Sequence, residues 1–531
     1  MNKKELESYF KSDKTDWYTL DEEKNKIWDV NRVSEFWERI RMYKIKKEDF
    51  DFSFYIFPDF EFERETKYLR DNSSNEGKES NQHQKIKKEF DFFTKIRYSE
   101  KGFSKKVSFF SSIFLGNASF YKYYFKGKVD FSQAEFYGYI GFDECTFFDD
   151  VSFNNIITNH RFTLFNSSFK KKLNFCHAEL DEFTFFYNTK FDSTNFFGSN
   201  FKEETYFSDS LFKKEATFMD CIFEKDLRLN NIVFEYQTNF SNFTVFGEAS
   251  FHNVLFGNNV DYNYIKIDGR LKIQSSYFFR DCYFNYSKIN KLEFIDLNVK
   301  KEEENLFLEI PYKEVYYESS LWKELNNISK SPRLIFDNIS FNSDTIFTRV
   351  ILNNIELFNC DVADIKFSRC DWNIDKKRLL LRKEELDYRD SEAHYRQLKK
   401  NFDSEKNWEL SGYSYVSEME MRKKRLWKEK KYADWFIYKF YDFFGGYTQN
   451  YLRPFLSLLV LIVLSSVIYY FIDYNLLKAI QRGLKGSIPY LQIDIEKPFY
   501  GYWLIWKNIQ LVLSGTFIAF FILALRKRFK Q

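Results

Sequence analysis

From Phe103 onward, bulky apolar residues return every eleven positions along two interleaved tracks. One runs Phe109, Phe120, Phe131, Phe142, Phe153, Leu164, Phe175; the other runs Phe103, Phe114, Phe125, Phe136, Phe147, Thr158, Phe169, Leu180, Phe191. Between the tracks the spacing alternates between five and six. After Phe191 the register slips (Phe191, Phe196, Phe201) and resumes. One track then runs Phe207, Phe218, Leu229, Phe240, Phe251, Tyr262, Ile273, Phe284. The other runs Phe201, Phe212, Phe223, Phe234, a blurred step at Val245 and Phe246, then Phe256, Ile267, Phe278, Ile289. Two places before the bulky residue sits something small or β-branched, such as Ala118, Ala134, Cys145, Val151, Ala216 or Cys221. Positions i−2 and i share one side of an extended chain, so both point inward, while the intervening Asp, Asn, Lys, Glu and Ser form corners and outward positions. The period predicts short strands stacked coil on coil, two eleven-residue units to a coil. The predicted β-helix core includes Phe109, Phe120, Phe131, Phe136, Phe142, Phe147, Phe153, Phe207, Phe218 and Phe223. About nine coils fit before residue 299, a rod roughly 45 Å long at ordinary strand spacing.

The rhythm breaks over residues 300–334, a charged and partly helical stretch read as an excursion. It returns at Phe336, Phe341, Phe347, Leu352, Phe358, Phe367 and Trp372 as final coils over 335–374. Residues 1–86 form an N-terminal cap or module. FDFSFYIFPDFEF (50–62) alternates like a strand and favours the cap, since a rod needs its exposed end covered.

Beyond residue 375 the period becomes helical. Tyr395, Leu398 and Phe402 share a face, DSEKN (403–407) reads as a turn, and a second helix follows, giving a helical hairpin within a connector over 375–450. Two apolar stretches come next, FLSLLVLIVLSSVIYYFI (455–472) and IQLVLSGTFIAFFILAL (509–525). They predict transmembrane helices at about 453–474 and 503–525 within a membrane module over 451–531. Arg422, Lys423, Lys424 and Arg425 precede the first span, and Arg526, Lys527 and Arg528 follow the second. Clustered cations beside a bilayer attract anionic headgroups, so these seven are the expected membrane-surface contacts. The loop between carries fewer basic residues (Lys478, Arg482, Lys485, Lys497), which places both termini in the cytoplasm and the protein in the cell's inner membrane. Within that loop, 475–490 reads as a short amphipathic helix, either lying in the outer interface or re-entering as a pore helix. Ser514, Gly515 and Thr516 offer a surface for close helix packing. Neither span holds an ionisable residue deep in its apolar stretch.

Composition narrows the chemistry. The 531 residues include 66 Phe and 37 Tyr but only 17 Gly, a bias that a periodic core explains. The net charge of +3 excludes a strongly polybasic nucleic-acid binder. Nucleic acid is therefore not an expected partner, and a DNA mimic would need a far more negative rod. The six cysteines contain no C-x-x-C pair, and the N-terminus has no apolar h-region. Cys145, Cys221, Cys282 and Cys370 occupy the small inward position and read as packing residues. The histidines His83, His160, His177, His252 and His394 are scattered without ligand spacing, and no phosphate loop or nucleophile motif occurs. No catalytic residue, cofactor site or metal site is expected.

The inward i−2 and i positions resemble the pentapeptide-repeat family. The resemblance implies an all-β right-handed quadrilateral β-helix, here with an extra residue in alternate units and Phe in place of much of the usual Leu. The C-terminal end is similar to the subset carrying a two-helix, ion-channel-like transmembrane module, through YRQLKKNFDSEKNWELSGYSYVSEMEMRKK (395–424), FGGYTQNYLRPF (444–455) and LALRKRF (523–529). The expectation is a non-enzymatic membrane-anchored protein whose β-helix is a binding or scaffolding surface for an unidentified protein partner. The alternative is an oligomeric ion channel or pore-forming effector with the β-helix as regulatory domain. The bilayer is a partner in either case, and a homo-oligomer is required by the second.

Overall fold

The computed structural model describes residues 2–59 apart from 23, 101–297, 319, 321, 332–488, 491 and 501–529. The excursion over 300–334 lies almost wholly outside the described residues, as does His83. The chain divides into two compact units, Met1–Asp371 and Trp372–Gln531.

The first unit is a parallel β-solenoid of about 11 turns. Its coil is 22 residues long: Glu135–Phe136 pairs in parallel with Ile113–Phe114 on one side and Ile157–Thr158 on the other. Each coil turns at two left-handed residues, one per eleven-residue unit. They include Asn155, Asn166, Asn188, Asp209, Asp220, Asn231, Asn242 and Asn253. Asn and Asp tolerate this conformation best among residues with a side chain. These corners fall in the five-residue steps between bulky positions, as Asn155 does between Phe153 and Thr158, so the extra residue of the six-residue steps lies elsewhere on the coil. Corner side chains also bond along the rod: Asn231 Nδ2 donates to Asp209 Oδ1 at 2.9 Å and Asn253 Nδ2 to Asn231 Oδ1 at 3.1 Å.

The slip after Phe191 is a coil one residue short. Phe169 pairs with Phe191, but Leu173 pairs with Thr194, and the shift falls between Phe169 and Lys172. A second short coil follows, where Ile267 pairs with Ile289 but Leu271 with Leu292. At both places the left-handed corners close to ten residues, Asn188 to Gly198 and Tyr286 to Asp296. Further on, Phe284 pairs with Phe336, so the coil takes up the excursion as extra chain without interrupting the stack.

Inside, like stacks on like. One column runs Phe109, Phe131 and Phe153 at 4.7 and 5.0 Å between centroids. It continues through Phe196, Phe218 and Phe240 at 5.0 Å per step, then Tyr262 and Phe284 at 5.0 and 4.8 Å. A second runs Phe125, Phe147 and Phe169 at 4.6 Å. The ambiguous pair resolves cleanly: Val245 pairs with Phe223 and is buried, whereas Phe246 faces out. Each coil therefore rests only on its neighbours, and its apolar burial is shared along the rod.

The segment from Phe50 to Phe57 begins the stack. Phe52 lies on Phe109 at 5.1 Å and Phe57 on Phe114 at 4.8 Å. Helices α1 (Lys3–Lys11) and α2 (Val30–Tyr43) pack over that layer, with Phe10 stacked on Tyr55 at 4.8 Å and Trp37 on Phe57 at 5.9 Å. Asn2 caps α1 in a capping box and Asp29 caps α2.

The second unit opens with a two-stranded hairpin, Ile374–Asp375 against Arg378–Leu379. Helices α3 (Tyr388–Ser404) and α4 (Trp408–Lys428) follow as an antiparallel pair, joined by the short turn before Trp408, where Asn407 caps α4. Then come α5 (Tyr432–Gly445), α6 (Leu452–Asp473), α7 (Leu476–Ser487) and α8 (Tyr502–Phe529).

Candidate functional site

α6 and α8 are long and apolar enough to cross a membrane, with mean hydropathy 2.2 over Leu452–Phe471 and 2.0 over Tyr502–Lys527. Only 28% and 22% of these windows are buried within the protein, unlike the core helices of a soluble domain.

α7 sets the geometry between them. Tyr474 takes a left-handed conformation that ends α6, and Asn475 caps α7 by accepting from the amides of Leu477 and Lys478. The chain thus reverses, and α7 runs back along α6. Contact is close because α7 carries glycine where it meets α6 and α8. A Cβ at Gly483 would lie 2.2 Å from Ser466 Oγ and 3.0 Å from the Ile462 carbonyl; one at Gly486 would lie 2.5 Å from Gln510 Oε1. Ile462 is at the middle of the Leu452–Phe471 stretch, so the far end of α7 reaches that level.

A polar cluster forms there. Gln510, fully buried, accepts from Tyr469 Oη at 2.9 Å and donates to the Gly483 carbonyl at 2.8 Å and to Ser487 Oγ at 2.6 Å. Its amide joins three helices. Arg482 sits one residue from Gly483 and is 3% exposed. The two spans read alone contain no deep ionisable residue, yet folding brings one beside them from the loop. Gly483 and Gly486 give the close approach; in the Ser514–Thr516 stretch Ser514 is buried, whereas a Cβ at Gly515 would meet nothing within 4 Å.

The basic run of α4 is drawn into the helical pair. Glu392 on α3 accepts from Arg396 at 2.8 Å, from Arg422 at 2.9 Å and from Arg425 at 2.9 Å. Glu418 accepts from Arg396 at 3.0 Å and Arg422 at 3.1 Å. Lys423 bridges Glu420 and Asp442, each at 2.6 Å, and Lys424 pairs with Glu385 at 2.5 Å. Burial opposes the charge on Glu392, but hydrogen bonds from Arg425 and Arg422 outweigh it and hold the carboxyl below its usual range. Arg422, Lys423, Lys424 and Arg425 thus spend their charge on carboxylates of their own unit. Arg526, Lys527 and Arg528 lie in the last turns of α8, and Lys527 Nζ sits 4.9 Å over the Tyr415 ring.

In the solenoid, Phe109, Phe120, Phe131, Phe136, Phe142, Phe147, Phe153, Phe207, Phe218 and Phe223 are all buried. The small inward positions add polar stitching: Cys145 Sγ donates to the Phe120 carbonyl at 3.2 Å and Cys221 Sγ to that of Phe196 at 2.9 Å. Burial pushes the Cys145 thiol up to about 12 and the Cys370 thiol up to about 11, so neither is a ready nucleophile. Among the described residues, no group of three or more His, Cys, Asp and Glu is placed to hold a metal ion. His394 is buried with Nδ1 3.7 Å from Asp390, and His177 occupies a left-handed corner against Phe197.

Compared with known proteins, the chain matches no protein-family model, no curated protein and no solved structure.

Proposed function

We propose that this is a membrane-anchored pentapeptide-repeat protein whose second unit forms an oligomeric ion pathway, with the solenoid as its regulatory domain. The observation that carries the reading is α7 and its polar cluster. An anchor needs only α6 and α8. A third helix that doubles back beside them, and buries Arg482, Gln510 and Ser487 there, is costly in hydrocarbon, which supports a pathway over a tether. In this reading α7 is the re-entrant pore helix, and one copy cannot enclose a pore, so several assemble. The termini are cytoplasmic and the membrane is the inner one. Re-entry strengthens that orientation, since Arg482 and Lys485 no longer count as outer-loop charges. The solenoid is the right-handed quadrilateral form, which the four inward positions of each 22-residue coil support.

A second reading keeps α6 and α8 as an anchor and gives the function to the solenoid as a scaffolding surface for a protein partner. Exposed aromatics favour it: Tyr264 and Tyr286 stack outward at 5.3 Å, exposed by 59% and 52%. Single-channel recording in planar bilayers separates the two. Full-length protein should give discrete currents that a chain ending at Lys431 does not give. Silence from protein shown to be inserted rejects the pathway in favour of the anchor.

A further inference from the structure

An open cleft of about 730 Å³ lies between the α3–α4 pair, α5 and the end of α8. One wall is polar and aromatic, with Arg396, Lys399, Tyr415, Arg422 and the carboxylate of Glu418; the other is apolar, with Ile437, Phe440, Phe520 and Leu523. Lys399 Nζ and Lys527 Nζ each lie 4.9 Å from the Tyr415 ring centroid, so two like charges share one aromatic ring. Among the described residues neither has a carboxylate within ion-pair distance, whereas Arg396 and Arg422 are held by Glu392 and Glu418. Positive charge is therefore in excess at this wall, with Asp403 the acidic group that acts on Lys527 from beyond ion-pair distance.

The apolar wall keeps Ile437 and Leu523 exposed, by 63% and 49%. α5 exposes Phe436, Ile437 and Phe443 by more than 60% each, while its other side meets α8 through Phe444 on Phe517 at 5.0 Å and Tyr441 on Phe520 at 5.1 Å. It begins after a cation-rich stretch and ends a few residues before α6. An aromatic helix in that position, continuous with both spans, has the composition of a helix lying at a membrane–water boundary.

We infer that this cleft binds one anionic phospholipid of the adjoining leaflet. The headgroup phosphate is taken by Lys399 and Lys527, and an acyl chain lies along Ile437, Phe440, Phe520 and Leu523. A cation pair over an apolar groove at the end of a span is the arrangement that retains such lipids. This assignment rests on α6 and α8 spanning a membrane, not on the protein conducting ions. An occupied cleft would tie α3, α4 and α8 together, making the lipid a structural link between the helical pair and the spans.

Native mass spectrometry of delipidated full-length protein in detergent, titrated with phosphatidylglycerol or phosphatidylcholine, tests it. One phosphatidylglycerol per chain should be retained in preference to phosphatidylcholine. The K399Q/K527Q double variant should lose about 30-fold in retention, on the scale of about 1 kcal/mol per basic residue. Ile437→Asn, at an exposed position of the apolar wall, should also weaken it. Lys428→Gln with Lys430→Gln, an equal charge change outside the cleft, should not. Equal retention in the K399Q/K527Q variant, an equal loss in the control variant, or full competition by inorganic phosphate would overturn the assignment. Flotation with phosphatidylcholine liposomes distinguishes the premise: a chain that does not float refutes membrane insertion itself, while one that floats without anionic preference refutes only the lipid site.

Discussion

Thr158 is the one polar residue in an otherwise apolar run of stacked positions. It pairs with Phe136 on one side and Leu180 on the other, is fully buried, and its hydroxyl has no hydrogen-bond partner among the described residues. Thr158→Val keeps the shape and removes the orphaned hydroxyl. An unsatisfied buried hydroxyl costs about 1–3 kcal/mol, so the variant should be more stable by about 1–2 kcal/mol. Thr158→Ser keeps the hydroxyl and loses a methyl, and should be less stable by about 1 kcal/mol. Because each coil is supported only by its neighbours, the effect belongs to nearby coils. Hydrogen–deuterium exchange of peptides covering 136–180 in the full-length protein reads it directly. Amides that open locally should exchange about tenfold more slowly in Thr158→Val, since 1.4 kcal/mol is a factor of ten. Unchanged or faster exchange would mean that the hydroxyl is satisfied, and the description of this column as a dry apolar stack would fail.

Phe218→Ala, which removes a ring stacked at 5.0 Å on both sides, should cost about 3–5 kcal/mol, and Phe218→Leu under about 1.5 kcal/mol, measured as urea midpoints. At the left-handed corner Asn231, valine should be less stable than glycine by about 1–2 kcal/mol in the same assay. Glu392→Gln should lose about 2–3 kcal/mol at pH 7, because three arginines keep their positions around a neutral group. The Glu392 carboxyl is held below its ordinary value, so its contribution is present above about pH 4.3 and is lost as pH falls through the folded value. The difference between wild type and variant in thermal melts should therefore shrink at pH 3.

The solenoid was legible because its period forces the same residue type into the same place every eleven positions. Where type and place disagree, at Val245 and Phe246, neighbouring residues alone could not decide which faced inward; the pairing with Phe223 does. The second short coil leaves the same trace as the first, Phe284, Ile289 and Phe294 at spacings of five. The corners also had a visible signal, the asparagines at 155, 166, 188, 231, 242 and 253. The C-terminal chemistry was less legible. Glu392 lies 30 residues before Arg422, and nothing local marks it as the partner that takes up the basic run. Gln510 and Arg482 are unremarkable in their own segments, and gain meaning only when α7 folds back. Glycines at 483 and 486 within an amphipathic helix were the available hint of close packing.

Re-entry of α7 is tested most directly by the depth of spin labels in liposomes, read as the ratio of oxygen to nickel-chelate accessibility. Labels would be placed at Leu477 and Leu484, at the two ends of the helix, with Ile462 as the mid-span reference. At 1.5 Å per residue, the label at 484 should lie about 10 Å deeper than the one at 477 and close to the depth of 462. Equal, shallow depths for 477 and 484 would place α7 flat in the interface, and the proposed ion pathway would lose its central element.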